Sequence, residues 1–341
     1  MTQKNETKLL LLSLLVTGAV LGGGVWWFTQ KFIPSDSETG LNSVNSSGQS
    51  KLSLTDRFSS GDRLLISSIG SSQKQQGIEA IATGNFPDAI ASLQASLQAQ
   101  RNDPEALIYL NNARIGTSRA YNIAVSIPLG TDLDGSQEIL RGVAQAQNGI
   151  NQTGGINGTP LKVMIANDDN NPEIAQKIAT QLGDNSEILG VVGHWASDVS
   201  LATAPIYEEK KLVAISPIST SVKLSGIGKY IFRTVPSDRF AGSALARYQI
   251  NQLQKRKTAV FFNSNSNYSQ SLKDEFTTAI FGDGGEVVAE FDLARPNFNA
   301  ATDVQQASQQ GAEVLMLATS TATLDQSLQV IQVNDRQLAL L

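Results

Sequence analysis

The 341 residues, 41% of them hydrophobic, carry apolar material for roughly two or three domains, and 26 basic against 31 acidic side chains leave no basic field for nucleic acid. No cysteine occurs, which excludes disulfides, thiolate nucleophiles, cysteine-held zinc and an N-terminal lipidated cysteine together.

The chain opens on an uncharged apolar stretch, Leu9 to Phe28, which ends in Trp26-Trp27. At about 20 residues it has the length of a membrane-spanning helix, with aromatic residues suited to the interface. Lys4 and Lys8 precede it, and Asp36 and Glu38 lie beyond Lys31, so the positive-inside bias keeps the N-terminus cytoplasmic. Residues 1–33 therefore read as a transmembrane anchor or, if cleaved, a signal peptide. The remainder is placed in the periplasm, tethered to the inner membrane in the first case. Residues 34–62, rich in Ser, Asn, Gly and Asp, read as a flexible linker.

Residues 63–118 read as helical. Gly84-Asn85-Phe86 followed by Ala89 and Leu93, then Asp103-Pro104 opening a run with Ala106, Leu107 and Leu110, resembles part of a tetratricopeptide repeat. The match is too short for a solenoid that is stable alone, so a helical hairpin packed on the next domain as a spacer is a plainer expectation than a peptide-binding groove.

From Tyr121 the pattern becomes α/β. Apolar, β-branched runs at Tyr121–Ile127, Leu161–Ile165, Ile188–Val192, Leu212–Ile215, Ala259–Phe262, Val287–Phe291, Val314–Leu317 and Leu338–Leu341 predict strands buried on both faces. Between them Ile139, Val143, Ala146 and Ile150 form one helical stripe, Ile174, Ile178 and Leu182 a second, and Leu324, Leu328 and Ile331 a third. Repeated βαβ units imply parallel sheets covered on both sides. Tyr230–Pro236 interrupts the repeat as an extended crossover, which divides the region into lobe 1 (119–236) and lobe 2 (237–341).

Enzyme chemistry lacks its residues. There is one histidine, His194, and neither a G-x-S-x-G elbow nor a nucleotide-cradling glycine loop, so no catalytic residue, cofactor or metal is assigned. His194 reads as a buried histidine satisfied by backbone. What remains are two polar loops at successive strand ends. The first is Gly193-His194-Trp195-Ala196-Ser197-Asp198, which places Ser197 or Asp198 at a helix N-terminus, where free N–H groups favour a carboxylate. The second is Ser216-Pro217-Ile218-Ser219-Thr220, with further hydroxyls and peptide N–H groups. Ser and Asp are also ordinary caps and turn formers, so each loop alone is weak evidence.

Gly190 to Thr220, GVVGHWASDVSLATAPIYEEKKLVAISPIST, resembles the core of the leucine/isoleucine/valine-binding protein family of ABC-transporter solute-binding proteins. Ile150–Ala175, the Phe232-Arg233-Thr234 run and the segment around Tyr268 are similar to it as well. The resemblance implies a two-lobed type I periplasmic binding fold that closes on an amino acid or small amide and delivers it to permease subunits. By it, Ser197 grips the ligand carboxylate, Ile218 offers backbone groups, and Thr220 and Tyr268 are further contacts, with Ser219 in the same loop. Trp195 either shapes a side-chain pocket or packs under its loop, and Asp198, where relatives have a small polar residue, either repels an anion or recognises an amino group. The family's acidic partner for the ligand ammonium follows the strand that here reads Gln337–Leu341, so lobe 2 reads as incomplete. Two rival roles remain: an activator of peptidoglycan synthases, suggested by helices before the lobes, and a ligand-sensing receptor domain.

Overall fold

The computed structural model describes residues 52–341, so the apolar stretch Leu9–Phe28 and most of the expected linker lie outside it. Among the described residues no helix is long and apolar enough to cross a membrane. A two-residue strand β1 (Phe58–Ser59) precedes helices α1 (Ser72–Ala82), α2 (Phe86–Ala99) and α3 (Pro104–Ile115). Then come β2 (Tyr121–Ile127), α4 (Leu133–Gln152), β3 (Leu161–Asn167), α5 (Pro172–Asp184), β4 (Ile188–Val192), α6 (Ser197–Lys210), β5 (Val213–Ser216) and β6 (Ile231–Arg233). A second alternation runs α7 (Asp238–Tyr248), β7 (Lys257–Phe262), α8 (Asn267–Gly282), β8 (Glu286–Asp292), α9 (Ala300–Gln309), β9 (Val314–Ala318), α10 (Leu324–Asn334) and β10 (Ala339–Leu340).

The strands form two sheets, six-stranded β1-β3-β2-β4-β5-β6 and four-stranded β10-β9-β7-β8. All pairings are parallel except that of β1 with β3. Parallel pairing follows from the βαβ order, since each crossover helix returns the chain to the same end of the sheet. Asn and Ser side chains start three of the crossover helices: Asn171 accepts from Glu173 and Ile174 N–H at α5, Ser266 from Ser269 N–H at α8, and Asn299 from Thr302 N–H at α9.

Several expectations are corrected. The linker does not run to residue 62, because Phe58 and Ser59 pair with Ala166 and Ile165 at the sheet edge, and Arg57 Nη1 lies 2.6 Å from Asp169 Oδ2. That segment is ordered by contacts with lobe 1 and not by its own hydrophobicity, which composition cannot show. Tyr230–Pro236 is more than a crossover, since Ile231–Arg233 adds an edge strand to β5. Leu324, Leu328 and Ile331 are exposed, and α10 buries Ser327, Val330 and Asn334 instead.

The helical segment packs on lobe 1, as expected of a hairpin set against the next domain, and the two share a core. Tyr109, Ile108 and Ala113 of α3 share one core with Val125 of β2, Ile165 of β3 and Leu140 of α4. The junction is also polar. Where β1 stops, Asn112 of α3 supplies both missing partners to Val163 of β3, donating to its carbonyl at 2.7 Å and accepting from its N–H at 3.1 Å. Gln147 Nε2 of α4 donates to Asn112 Oδ1 at 2.8 Å. This turns the buried face of α4 toward Ser136, Leu140, Ala144 and Gln147, about one position from the expected stripe, and leaves Ala146 exposed. Deeper in the segment, the buried Lys74 Nζ lies 2.8 Å from Asp103 and 2.7 Å from Glu105. Glu105 also accepts from Leu65 N–H and the Tyr109 hydroxyl, so each charge in the cluster has a partner.

Candidate ligand-binding cleft

In the first sheet β2 is flanked by β3 on one side and β4 on the other, and in the second β7 is flanked by β8 and β9. At such reversals the connecting helices pass to opposite faces, so the loops leaving the strand carboxyl ends splay apart and leave a crevice. Here both crevices border one cavity of about 950 Å³. Lobe 1 lines it with the loops after β3 (Asn170), β4 (Trp195 to Asp198) and β5 (Ile218 to Thr220). Lobe 2 lines it with the loops after β7 (Asn263, Asn265, Ser266), β8 (Leu293 to Pro296) and β9 (Thr319 to Thr323), and with Tyr268.

The structure thus gathers Trp195, Ser197, Asp198, Ile218, Ser219, Thr220 and Tyr268 around one space, with unequal freedom to act. Ser197 is the first residue of α6 and is buried; its Oγ accepts from Ser221 N–H at 3.3 Å, which leaves its own hydrogen to donate. Ala196 caps that helix without a side-chain acceptor, so the first-turn N–H groups look outward for one. Thr220 Oγ1 is buried with no hydrogen-bond partner in the protein. Ile218 is 38% exposed, an apolar surface on the cavity wall. Ser219 is more brace than contact, because its hydroxyl lies 2.8 Å from Ser200 Oγ and donates to the Trp195 carbonyl at 3.1 Å. The Trp195 ring rests on Gly135 of α4, where an added Cβ would come within 2.2 Å of it. Burial, and then the Asp238 carboxylate, push the Tyr268 phenol up, so it remains a neutral O–H donor. Asp198 Oδ1 is engaged by Asn267 from the other lobe, through its N–H at 3.0 Å and its side-chain amide at 2.7 Å.

His194 is buried as expected, but side chains rather than backbone satisfy its ring. Nδ1 lies 2.6 Å from Asp168 Oδ2 and Nε2 lies 2.9 Å from the Tyr207 hydroxyl. The carboxylate can only accept, so Nδ1 carries a hydrogen, and in the neutral ring Nε2 accepts from Tyr207. Ser126 Oγ donates to the same carboxylate at 3.0 Å, and Ser216 Oγ donates to the His194 carbonyl at 2.8 Å. The loops after β3, β4 and β5 are therefore tied together beneath the cavity floor.

The lobe 2 wall of Asn263, Asn265 and Thr319 to Thr323 was missed by sequence reasoning. The signal was present, since polar residues follow Phe262 and Ala318 just as they follow Val192 and Ser216. Only Asp198 and Arg295 of the lining residues are charged, and Arg295 is paired with Asp303. Hydroxyls, amides and helix-end N–H groups dominate, a lining rich in hydrogen-bond donors and acceptors.

A periplasmic binding protein family model matches residues 121–335. A Pseudomonas aeruginosa amino acid binding protein is 32% identical over 189 residues, 54% of this chain and 50% of that protein. From the same organism, a leucine-, isoleucine-, valine-, threonine- and alanine-binding protein is 30% identical over 44% of this chain and 40% of its own length. A Desulfitobacterium hafniense ABC transporter substrate-binding protein, solved in complex with Leu, superposes with a TM-score of 0.56 at 25% identity, covering 65% of each chain. The chain spans about half the length of the curated relatives it matches. With two parallel α/β lobes meeting at their strand carboxyl ends and a match over both of them, the chain belongs to the periplasmic binding protein family, as a type I member related to the leucine/isoleucine/valine-binding proteins.

Proposed function

We propose that this chain is the extracytoplasmic solute-binding component of an ABC importer, and that it takes an amino acid or small amide into the cleft by closure of its two lobes. The observation that carries the reading is the meeting of Ser197, Thr220 and the α6 N-terminus from lobe 1 with Tyr268 from lobe 2 around one cavity. Ser197 Oγ, the unpartnered Thr220 Oγ1 and the first-turn N–H groups of α6 are donors suited to a carboxylate or an amide oxygen. Tyr268 adds a neutral hydroxyl from the opposite wall, so a ligand touching both sides stabilises the closed form. The amino acids named for the P. aeruginosa relative, and the Leu bound by the D. hafniense protein, support this ligand class. In this reading Leu9–Phe28 holds the chain at the inner membrane, the lobes face the periplasm, and permease subunits receive the closed form.

Calorimetric titration of the full chain with amino acids, amides and urea tests the proposal. Saturable heat with at least one ligand, lost in Ser197→Ala, is expected; no heat across the panel would end it. A second reading, a regulatory or ligand-sensing module, draws support from the fusion of α1–α3 to lobe 1 through a shared core, a rigid link suited to relaying lobe motion. Recovery of a cell-wall synthase instead of permease subunits in a pull-down would favour it.

A further inference from the structure

The helix after β4 in lobe 1 and the helix after β7 in lobe 2 point their N-termini toward each other. Each such end carries about half a positive charge from its free N–H groups, so bringing them together is unfavourable unless an anion lies between. Asp198 at the second position of α6 is that anion. Its Oδ1 accepts from the backbone N–H of Asn267, the first residue of α8, at 3.0 Å, and from the Asn267 side-chain amide at 2.7 Å. Lys223 Nζ of lobe 1 donates to Asn267 Oδ1 at 2.6 Å, so lobe 1 holds this one residue from two directions. One turn further along α8, Ser271 Oγ accepts from Val222 N–H at 3.0 Å.

We propose that Asp198 is an interlobe latch, which favours the closed arrangement by bridging the two helix ends before any ligand arrives and so lowers the cost of closure that a ligand must meet. The residue then tunes affinity as a positioning residue, through the closed-to-open ratio rather than by touching the ligand. The inference rests on the closure described above, and its test is made without ligand so that the two can fail separately. Because the chain has no cysteine, Glu173→Cys and Asp283→Cys give one labelling site on each lobe, both exposed.

Electron–electron distance measurements between spin labels at those two sites read the lobe separation directly. The parent is expected to show one short, narrow distance. Asp198→Ala is expected to lower the closed-to-open ratio about tenfold, the scale of a lost charge-assisted hydrogen bond. Asn267→Asp sets a second carboxylate opposite Asp198, a repulsion that the attraction to Lys223 Nζ offsets only in part, and should also open the lobes. In the exchange Asp198→Asn with Asn267→Asp, an amide again faces a carboxylate beside Lys223, and the short distance should return. Thermal melts in the same samples establish that each variant is folded. Distance distributions unchanged in both Asp198→Ala and Asn267→Asp, at unaltered melting temperature, would overturn the latch even if the chain binds ligand normally.

Discussion

The ring of His194 and the carboxylate of Asp168 meet at 2.6 Å, both buried, and this contact joins the end of β3 to the end of β4. Truncation of His194 to Ala leaves Asp168 buried with only the Ser126 hydroxyl and the Asn170 N–H as partners. A loss of about 2–4 kcal/mol is expected from such an uncompensated buried carboxylate, read as a lower urea midpoint at unchanged slope. His194→Ala should also weaken ligand binding, since Trp195 and Ser197 follow it directly.

Thr220 behaves differently because its hydroxyl satisfies nothing within the fold. Thr220→Val keeps the shape and removes the unpaired buried oxygen, so the melting temperature is expected to hold or rise. Ligand affinity should nevertheless fall about tenfold, the value of one hydrogen bond of roughly 1.4 kcal/mol. Calorimetry and thermal melts on the same preparation separate the two effects. An affinity equal to that of the parent would remove Thr220 from the ligand contacts.

Asp238 begins α7 just past the interlobe crossover, and one of its oxygens is buried without a hydrogen-bond partner. Burial is the main cause that holds its carboxyl above the usual carboxylate range, outweighing the Ser271 hydroxyl and Arg233. The folded form therefore keeps this proton to higher pH than the unfolded chain does. The stability it contributes is fully present below the ordinary carboxylate pKa and is lost as pH rises through the raised one. Asp238→Asn is expected to raise the urea midpoint near pH 7, with a difference from the parent that closes by about pH 3.

Lys74 is the single cation between the buried carboxylates Asp103 and Glu105. Lys74→Met fills similar space but leaves two buried negative charges facing each other. A destabilisation of about 3–5 kcal/mol is expected by chemical denaturation. The loss should extend to lobe 1 and not stop at the helices, because Tyr109, which donates to Glu105, packs in the lobe 1 core.

Strands such as Tyr121–Ile127 and Ile188–Val192 were legible to the residue as apolar, β-branched runs, but burial on both faces was not: Leu189 of the second is 53% exposed, and Asn122 and Ser126 interrupt the first. The cleft loops of lobe 1 were legible as well, since polar residues directly after such runs have nowhere to go but the strand-end crevice. Periodicity fails where polar groups enter a core. Gln147 is buried because Asn112, distant in sequence, is there to receive its amide, and no local pattern on α4 records that. On α10 the periodicity shows that Leu324, Leu328 and Ile331 share a face but is silent on whether anything packs against it. Phe58–Ser59 is too short to carry a pattern, and its strand exists only because β3 offers an edge.

The amide of Asn112 imitates a neighbouring strand: one side chain takes over a donor and an acceptor at the point where β1 has run out. A boundary drawn at Arg119, where the α/β pattern begins, would cut through a working sheet edge. A polypeptide started there would bare both peptide groups of Val163 and open the apolar layer beneath Leu140 to water. The binding lobes and the helices before them are thus one folding unit, and any dissection meant to isolate the cleft has to begin upstream of Phe58.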